Sequence, residues 1–388
     1  MINPYNFSYT SNPAPVIKVI GLGGGGSNAI NRMIELGLKG VEFIAANTDY
    51  QALQTCLAEK KIQIGPRVTR GLGAGGKPEI GEAAAEESEN EFISALEGAD
   101  MVFLTAGMGG GTGTGSIPIA ARAARSVGAV TIAIVTTPFS FEMGHRQRNA
   151  ALGLARLAQQ TDTLLSIPND RLLDVAPRDL PLDLAFRMAD DVLRQAVQGI
   201  TELVTEPGLI NVDFAHIKHL MKLGGGALMA VGYGKGPVKA RQALDNALHH
   251  PLLDEIAIDR AAGIIANFKG GDDLTLYEVS EVLTTLHQQT NPDIEIVFGL
   301  SNDELMKGRT QVILVITGLG APTLEEAMSG IKTKCDALSP DVSQELKPVS
   351  TPEPIPEKSN PLRVSFNFPH ENDLDIPAFL RRRVHEAS

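Results

Sequence analysis

Apolar residues along this chain alternate between short β-rich runs and stripes that recur every three to four positions, the signatures of strands and amphipathic helices. Residues 16–20, Val-Ile-Lys-Val-Ile, form a strand-like run that stops at Gly21, and beyond the glycines Ile30, Met33 and Ile34 take helical spacing. The same alternation predicts strands over 41–46, 101–105 and 130–135, with helices over 79–97 and 117–127. Such alternation implies a parallel sheet covered by helices on both faces. A broad apolar stripe then runs from Ala185, Phe186 and Ala189 through Leu193, Ala196, Val197 and Ile200 to Leu203 and Val204, closed by Pro207 and Gly208. It predicts one long helix. Past it, strands over 227–233, 263–268, 294–299 and 311–317, with helices over 238–248 and 276–288, predict a second α/β unit.

Near the C-terminus the periodicity vanishes. Seven prolines fall between positions 340 and 369, and the apolar surface there is too sparse to offset chain entropy, so a disordered linker is expected. Beyond it Ile376, Phe379 and Leu380 stand at helical spacing beside Arg381, Arg382 and Arg383, the pattern of a short segment that folds on a partner protein. The expected organisation is a flexible segment over 1–14, a first α/β domain over 15–182, a central helix over 183–208, a second α/β domain over 209–320, a linker over 321–371 and a partner-binding peptide over 372–388.

Composition narrows the function classes. A chain of 388 residues with 43% hydrophobic content can bury a large core. Acidic residues outnumber basic ones 46 to 34, and the net charge of -12 argues against general affinity for nucleic acid or an anionic membrane. Cys56 and Cys335 lie far apart with no paired spacing, which supports neither a disulfide framework nor a zinc site. No basic segment followed by an apolar stretch begins the chain, and no run of 18 apolar residues occurs, so a soluble cytoplasmic protein without membrane insertion is expected.

Two glycine loops carry the candidate chemistry. Residues 21–26, Gly-Leu-Gly-Gly-Gly-Gly, satisfy the GxGxxG pattern between a strand and a helix, where small residues let backbone N–H groups approach an anion. Alone this fits a dinucleotide-binding dehydrogenase, with Asp49 near the distance of a ribose-binding acid, as well as a mononucleotide site. The run 107–115, Gly-Met-Gly-Gly-Gly-Thr-Gly-Thr-Gly, also sits between a strand and a helix; its glycines can form an anion nest to which Thr112 and Thr114 add hydroxyl donors. No Gly-Lys-Ser/Thr of a Walker A loop is present, so phosphate charge must be met by backbone dipoles and a cation such as Mg²⁺.

At this point the sequence resembles the tubulin/FtsZ family. The resemblance rests on residues 23–28, Asn-Thr-Asp at 47–49, Gly-Leu-Gly-Ala-Gly at 71–75, the run 109–115, Pro-Phe-Ser-Phe-Glu at 138–142, Ile-Pro-Asn-Asp at 167–170, Asn-Val-Asp-Phe at 211–214 and Asp-Ile-Pro-Ala-Phe-Leu at 375–380. It implies a GTPase that binds GTP or GDP with Mg²⁺ and polymerises head to tail into the cytokinetic ring of bacterial division. It further implies assembly at mid-cell, with residues 372–383 engaging tethering and regulatory division proteins. Phosphate contacts are implied from Gly24, Gly25, Gly26, Ser27 and Asn28, from Ala74, Gly75 and Gly76 near the terminal phosphate, and from Gly110, Gly111, Thr112 and Gly113. Asn47 and Asp49 join the nucleotide site, Glu142 and Arg146 hold the ribose side, Asn169 and Asp190 address the guanine edge, and Phe186 packs against the base. Each has a plainer counterpart: Phe186 as a core residue, Asp190 as a solvated charge like Asp191, and Glu142 with Arg146 as a surface i,i+4 pair.

In the family the loop at 211–214 supplies polar groups that position water and a cation for hydrolysis, which implies catalytic roles for Asn211, Asp213 and the neighbouring His216. Asp190 and Asp213 are separated mostly by helix, on the order of 25 to 30 Å, so the loop is out of reach of its own nucleotide and would complete the site of the next subunit. The chain departs from the family at His216, where a second aspartate is usual. A neutral histidine there would position water poorly and leave a GTP-binding scaffold with weak or no hydrolysis; a histidine acting as base near neutral pH would not. His216 and His219 can also simply share one exposed helical face.

Overall fold

The computed structural model describes residues 14–142, 144–173, 181–205, 208–210, 212–250, 261–290 and 294–319. Residues 1–13, Asn211, the linker and the terminal peptide lie outside them. In chain order the elements are β1 (Ile17–Leu22), α1 (Gly23–Glu35), β2 (Glu42–Asn47), α2 (Tyr50–Thr55), β3 (Lys60–Gln63) and α3 (Pro66–Thr69). Next come α4 (Pro78–Glu87), α5 (Glu89–Leu96), β4 (Met101–Gly107), α6 (Thr112–Ser126), β5 (Val130–Thr137), α7 (His145–Ala158), β6 (Thr163–Pro168) and α8 (Asn169–Leu173). The long α9 (Leu182–Thr205) leads to α10 (Phe214–Lys222), β7 (Gly226–Lys235), α11 (Lys239–Leu248), β8 (Gly263–Gly270), α12 (Leu276–Gln288), β9 (Glu295–Asn302) and β10 (Arg309–Leu319).

The strands form one sheet in the order β3-β2-β1-β4-β5-β6-β7-β10-β8-β9. From β3 to β6 every pairing is parallel, which requires crossover helices and buries both faces. All six residues of β1 are accordingly buried, Lys18 included. The Lys18 ammonium is satisfied there: it donates to the carbonyls of Ala95 and Glu97 at 3.1 and 2.9 Å, at the C-terminal end of α5, and pairs with Glu42. The direction then changes: β10 runs antiparallel to both β7 and β8.

The joint between β6 and β7 rests on two register pairs, Leu164 with Gly226 and Leu165 with Ala227. Packing from α9 reinforces it. Leu193, Ala196, Val197 and Ile200 are buried in one core with Ile132, Ile134 and Leu165 on one side of the joint and Met229, Ile265 and Ile313 on the other. Large apolar side chains buried this way contribute about 1.5–3 kcal/mol each. The stripe that predicts the helix is therefore the surface that holds the sheet's two parts together.

Two expected boundaries shift for physical reasons. The helix expected over 79–97 is two helices, because Ser88 leaves helical geometry, fully buried, while its hydroxyl accepts from the Gly65 N–H at 3.1 Å. The helix expected from 117 begins at Thr112, since the glycine-threonine run itself forms the first turn. Among the described residues, no helix is long and apolar enough to cross a membrane.

Candidate functional site

At the carboxyl ends of β1, β4, β5 and β6 the structure opens a cleft of about 320 Å³. This lies where the strand order reverses, between β1 and β4, the place at which parallel sheets leave a crevice for ligands. The cleft gathers Gly24, Gly25 and Asn28 from α1, Gly110, Gly111, Thr112 and Gly113 from the second glycine loop, and Glu142, Arg146, Asn169, Phe186 and Asp190.

One end is made of backbone. The first turns of α1 and α6 touch: a side chain on Gly23, whose φ is +69°, would stand 2.8 Å from the Gly113 nitrogen. The first N–H groups of a helix have no partner within it, so two sets of free donors with two positive dipole ends converge on one space. At Gly24 and Gly110 that space is open for at least 4 Å. Thr112 also lines the cleft, its hydroxyl held 2.6 Å from that of the buried Thr48. The Thr114 hydroxyl is turned inward instead and accepts from the Gly109 N–H at 2.8 Å.

A third loop packs against Gly111, and its residues Ala74, Gly75 and Gly76 are not among those lining the cleft. Ala74 is buried against Gly111, where an added side chain would come within 2.9 Å of the Ala74 methyl and 2.8 Å of the Lys77 nitrogen. Beyond Ala74, Gly75 and Gly76 are exposed in successive left-handed conformations with φ of +58° and +74°. Successive N–H groups in such turns form anion-binding concavities.

The other end is made of side chains. Phe186 is 41% exposed, so it is not a core residue; its ring meets the buried Phe139 edge-on at 5.6 Å and leaves a face free. Asn169 is 6% exposed, and its side-chain oxygen is buried without a hydrogen-bond partner among the described residues. Asp190 lies one helical turn beyond Phe186, and burial pushes its carboxyl up to about 6 against the opposing pull of Arg32 and Arg187. The next residue behaves oppositely. Burial also raises Asp191, but hydrogen bonds from Arg194 at 2.7 Å and Gln195 at 2.6 Å outweigh it, so Asp191 is tied down rather than solvated as expected. The desolvated Asp190 carboxylate and the unsatisfied Asn169 oxygen line the same cleft, two acceptors suited to a flat ligand edge that carries N–H donors.

Between the two ends, Glu142 accepts from the Phe139 N–H at 3.0 Å and pairs with Arg146. The remaining expected residues stand elsewhere. Gly26 and Ser27 face the sheet behind α1, buried. Asn47 accepts from the Asp49 N–H, and the Asp49 carboxylate caps α2 by accepting from Gln51 and Ala52 at 2.9 and 3.1 Å, so it is engaged locally. Asp213 caps α10 through the Ala215 N–H at 3.0 Å; it and His216 are exposed and line no part of the cleft. His219 is also exposed, 3.8 Å from Glu295.

Sequence reasoning passes over Asn149. On α7, its amide nitrogen reaches the carbonyls of Gly76 at 3.3 Å and Gly109 at 3.4 Å, joining the third loop to the second. A lone asparagine inside a helix carries no signal that would single it out.

Comparison with known proteins agrees with this geometry. The model of the tubulin/FtsZ family GTPase domain matches residues 16–177, and that of the FtsZ family C-terminal domain matches 225–320. An empty FtsZ dimer from M. jannaschii is 45% identical, with a TM-score of 0.76 over 82% of this chain and 93% of that one. A mutant FtsZ from the same organism is 47% identical, with a TM-score of 0.75 over 79% and 92%. CetZ2 from Haloferax volcanii, in a GTPγS-bound protofilament, shares 20% identity and the fold, with a TM-score of 0.70 over 83% and 99%. With two FtsZ structures above 40% identity over most of both chains, this chain belongs to the FtsZ family.

Proposed function

We propose that the chain binds GTP in the cleft, hydrolyses it to GDP and phosphate, and assembles head to tail into a filament of the cytokinetic ring. The observation that supports the guanine assignment is that the Asp190 carboxylate and the unsatisfied side-chain oxygen of Asn169 line one cleft. A carboxylate can accept from both N1–H and the 2-amino group of guanine, whereas adenine offers an acceptor at N1 and leaves the charge poorly paired. Such mispairing costs a few kcal/mol. Phe186 supplies a flat apolar wall for the base, and the converging helix ends supply donors for the phosphates.

Among the described residues no group of three or more His, Cys, Asp or Glu is placed to hold a metal ion. Mg²⁺ would therefore be held chiefly by the phosphates themselves and offset their charge. Family membership supports hydrolysis, and self-association is the state of the M. jannaschii FtsZ dimer.

The loop carrying Asp213 leaves α9 at Thr205, 15 residues beyond Asp190, or about 22 Å along the helix axis. It is out of reach of its own cleft. In a head-to-tail filament Asp213, with Asn211 and His216, would meet the phosphate end of the next copy's cleft and orient or deprotonate the attacking water. Residues 372–383 are assigned to tethering and regulatory partners at the division site.

His216 favours a second reading, a GTP-binding scaffold that hydrolyses weakly or not at all. Sedimentation with GTP, GDP, ATP or NAD, with phosphate release measured alongside, separates the two. Pelleting with release on GTP alone is expected; pelleting without release supports the scaffold, and indifference to GTP overturns both.

A further inference from the structure

We propose that Asn149 is a positioning residue that fixes the gap between the loop at 74–77 and the second glycine loop, and thereby sets preference for a nucleoside triphosphate over a diphosphate. The inference rests on the assignment of the cleft to GTP, with its terminal phosphate under Gly75 and Gly76.

The position of α7 is set by backbone contact. A side chain on Gly109, whose φ is +98°, would stand 2.8 Å from the Arg146 carbonyl oxygen. Residues 146, 149, 153 and 156 share one face of the helix, which lies along the second loop and the helices behind it. Gly153 packs against the Thr114 methyl, where an added carbon would come within 2.4 Å, and Arg156 pairs with Glu82 of α4 at 2.6 Å. Against this fixed surface, the loop at 74–77 is held on its strand side by the Gly73 N–H, which donates to Thr48 at 3.3 Å. Its tip has one side-chain tether among the described residues, Asn149.

A carboxamide nitrogen carries two N–H groups in a fixed plane, and here each has one carbonyl to meet, that of Gly76 and that of Gly109. The bond to Gly76 turns the peptide between Gly76 and Lys77 so that its oxygen faces α7. Without it that oxygen is free to rotate toward the cleft, where it would repel a phosphate. The residue touches no reacting atom; it acts through the loop. A diphosphate, lacking the terminal group, does not engage Gly75 and Gly76 and is indifferent to their placement.

The test compares GTP and GDP affinity for the full chain, measured by competition, across Asn149→Leu and Asn149→Gln, with thermal unfolding of each. Leucine keeps the volume and removes both donors, so GTP binding should weaken by about tenfold while GDP binding stays within about twofold. Glutamine retains the donors and should recover most of the difference. If Asn149→Leu does not fold, Asn149→Ser, too short to span both carbonyls, is measured in its place. Equal losses for the two nucleotides, or no loss in a folded variant, overturn the proposal. Failure of the unaltered chain to bind GTP instead overturns the assignment of the cleft on which it rests.

Discussion

The two ends of α9 are built for different neighbours. Its first turns put Phe186 and Asp190 into a walled cleft, where burial, an aromatic partner and the unsatisfied Asn169 oxygen all face the same space. Beyond its last turn, Asp213 and His216 stand exposed at the start of α10, with the Asp213 side chain capping that helix. The first end is a container complete within one chain. The second offers polar groups to something outside it, and the helix keeps the two apart.

Breaking each end separately should give distinct losses. Asp213→Ala should lower GTP turnover by about 100-fold or more, the range of a lost water-positioning group, with nucleotide affinity within about twofold. Loss of affinity would move Asp213 into the binding cleft and collapse the distinction. Asp190→Ala should do the converse, weakening GTP binding by roughly 30-fold as the guanine donors lose their partner, and it should narrow the preference over ATP. Unchanged selectivity in a direct competition would remove Asp190 from the base end.

The raised carboxyl of Asp190 adds a pH dependence. On the proposed contact, guanine donors bind the ionised form, so GTP affinity should fall as pH drops through about 6, by about tenfold between pH 7 and pH 5 from this group. Asp190→Asn should flatten that part of the profile. For the ligand-free protein the sign is opposite. The folded state holds the proton between the ordinary carboxylate range and about 6, so stability falls as pH rises through that window, and Asp190→Asn should remove the slope. The smallest effect is expected at His216: His216→Asp should raise turnover several-fold if histidine is the weaker group, and a flat or reduced rate in a phosphate-release assay would show it to be competent.

Much of this architecture is legible in the chain because the parallel strands are short unbroken apolar runs and α9 carries a strong stripe. The elements that escape are those whose patterns are interrupted. β6 has Ser166 and Pro168 within it, and α7 opens on a charged stretch with Gly153 at its centre. Tertiary bonds decide other details, as when Ser88 breaks a helix to meet Gly65. The glycine loops are visible as motifs, but spacing does not reveal local engagement: the distance of Asp49 from the first loop suits a ribose ligand, and the structure adds that its carboxylate caps α2. Phe186 shows the limit of periodicity. It lies in the apolar stripe, yet the helix passes the rim of the cleft there and leaves the ring exposed.

A split site is most directly tested by complementation between two impaired variants, Asp213→Ala with an intact cleft and Asp190→Ala with an intact loop, at a GTP concentration that fills the unaltered cleft but not that of Asp190→Ala. Mixed in equal amounts, about a quarter of head-to-tail interfaces would join a working cleft to a working loop. GTP turnover should then rise to about that fraction of the unaltered protein's rate, well above the sum of the variants measured apart. A mixture no faster than that sum would contradict a site shared between copies.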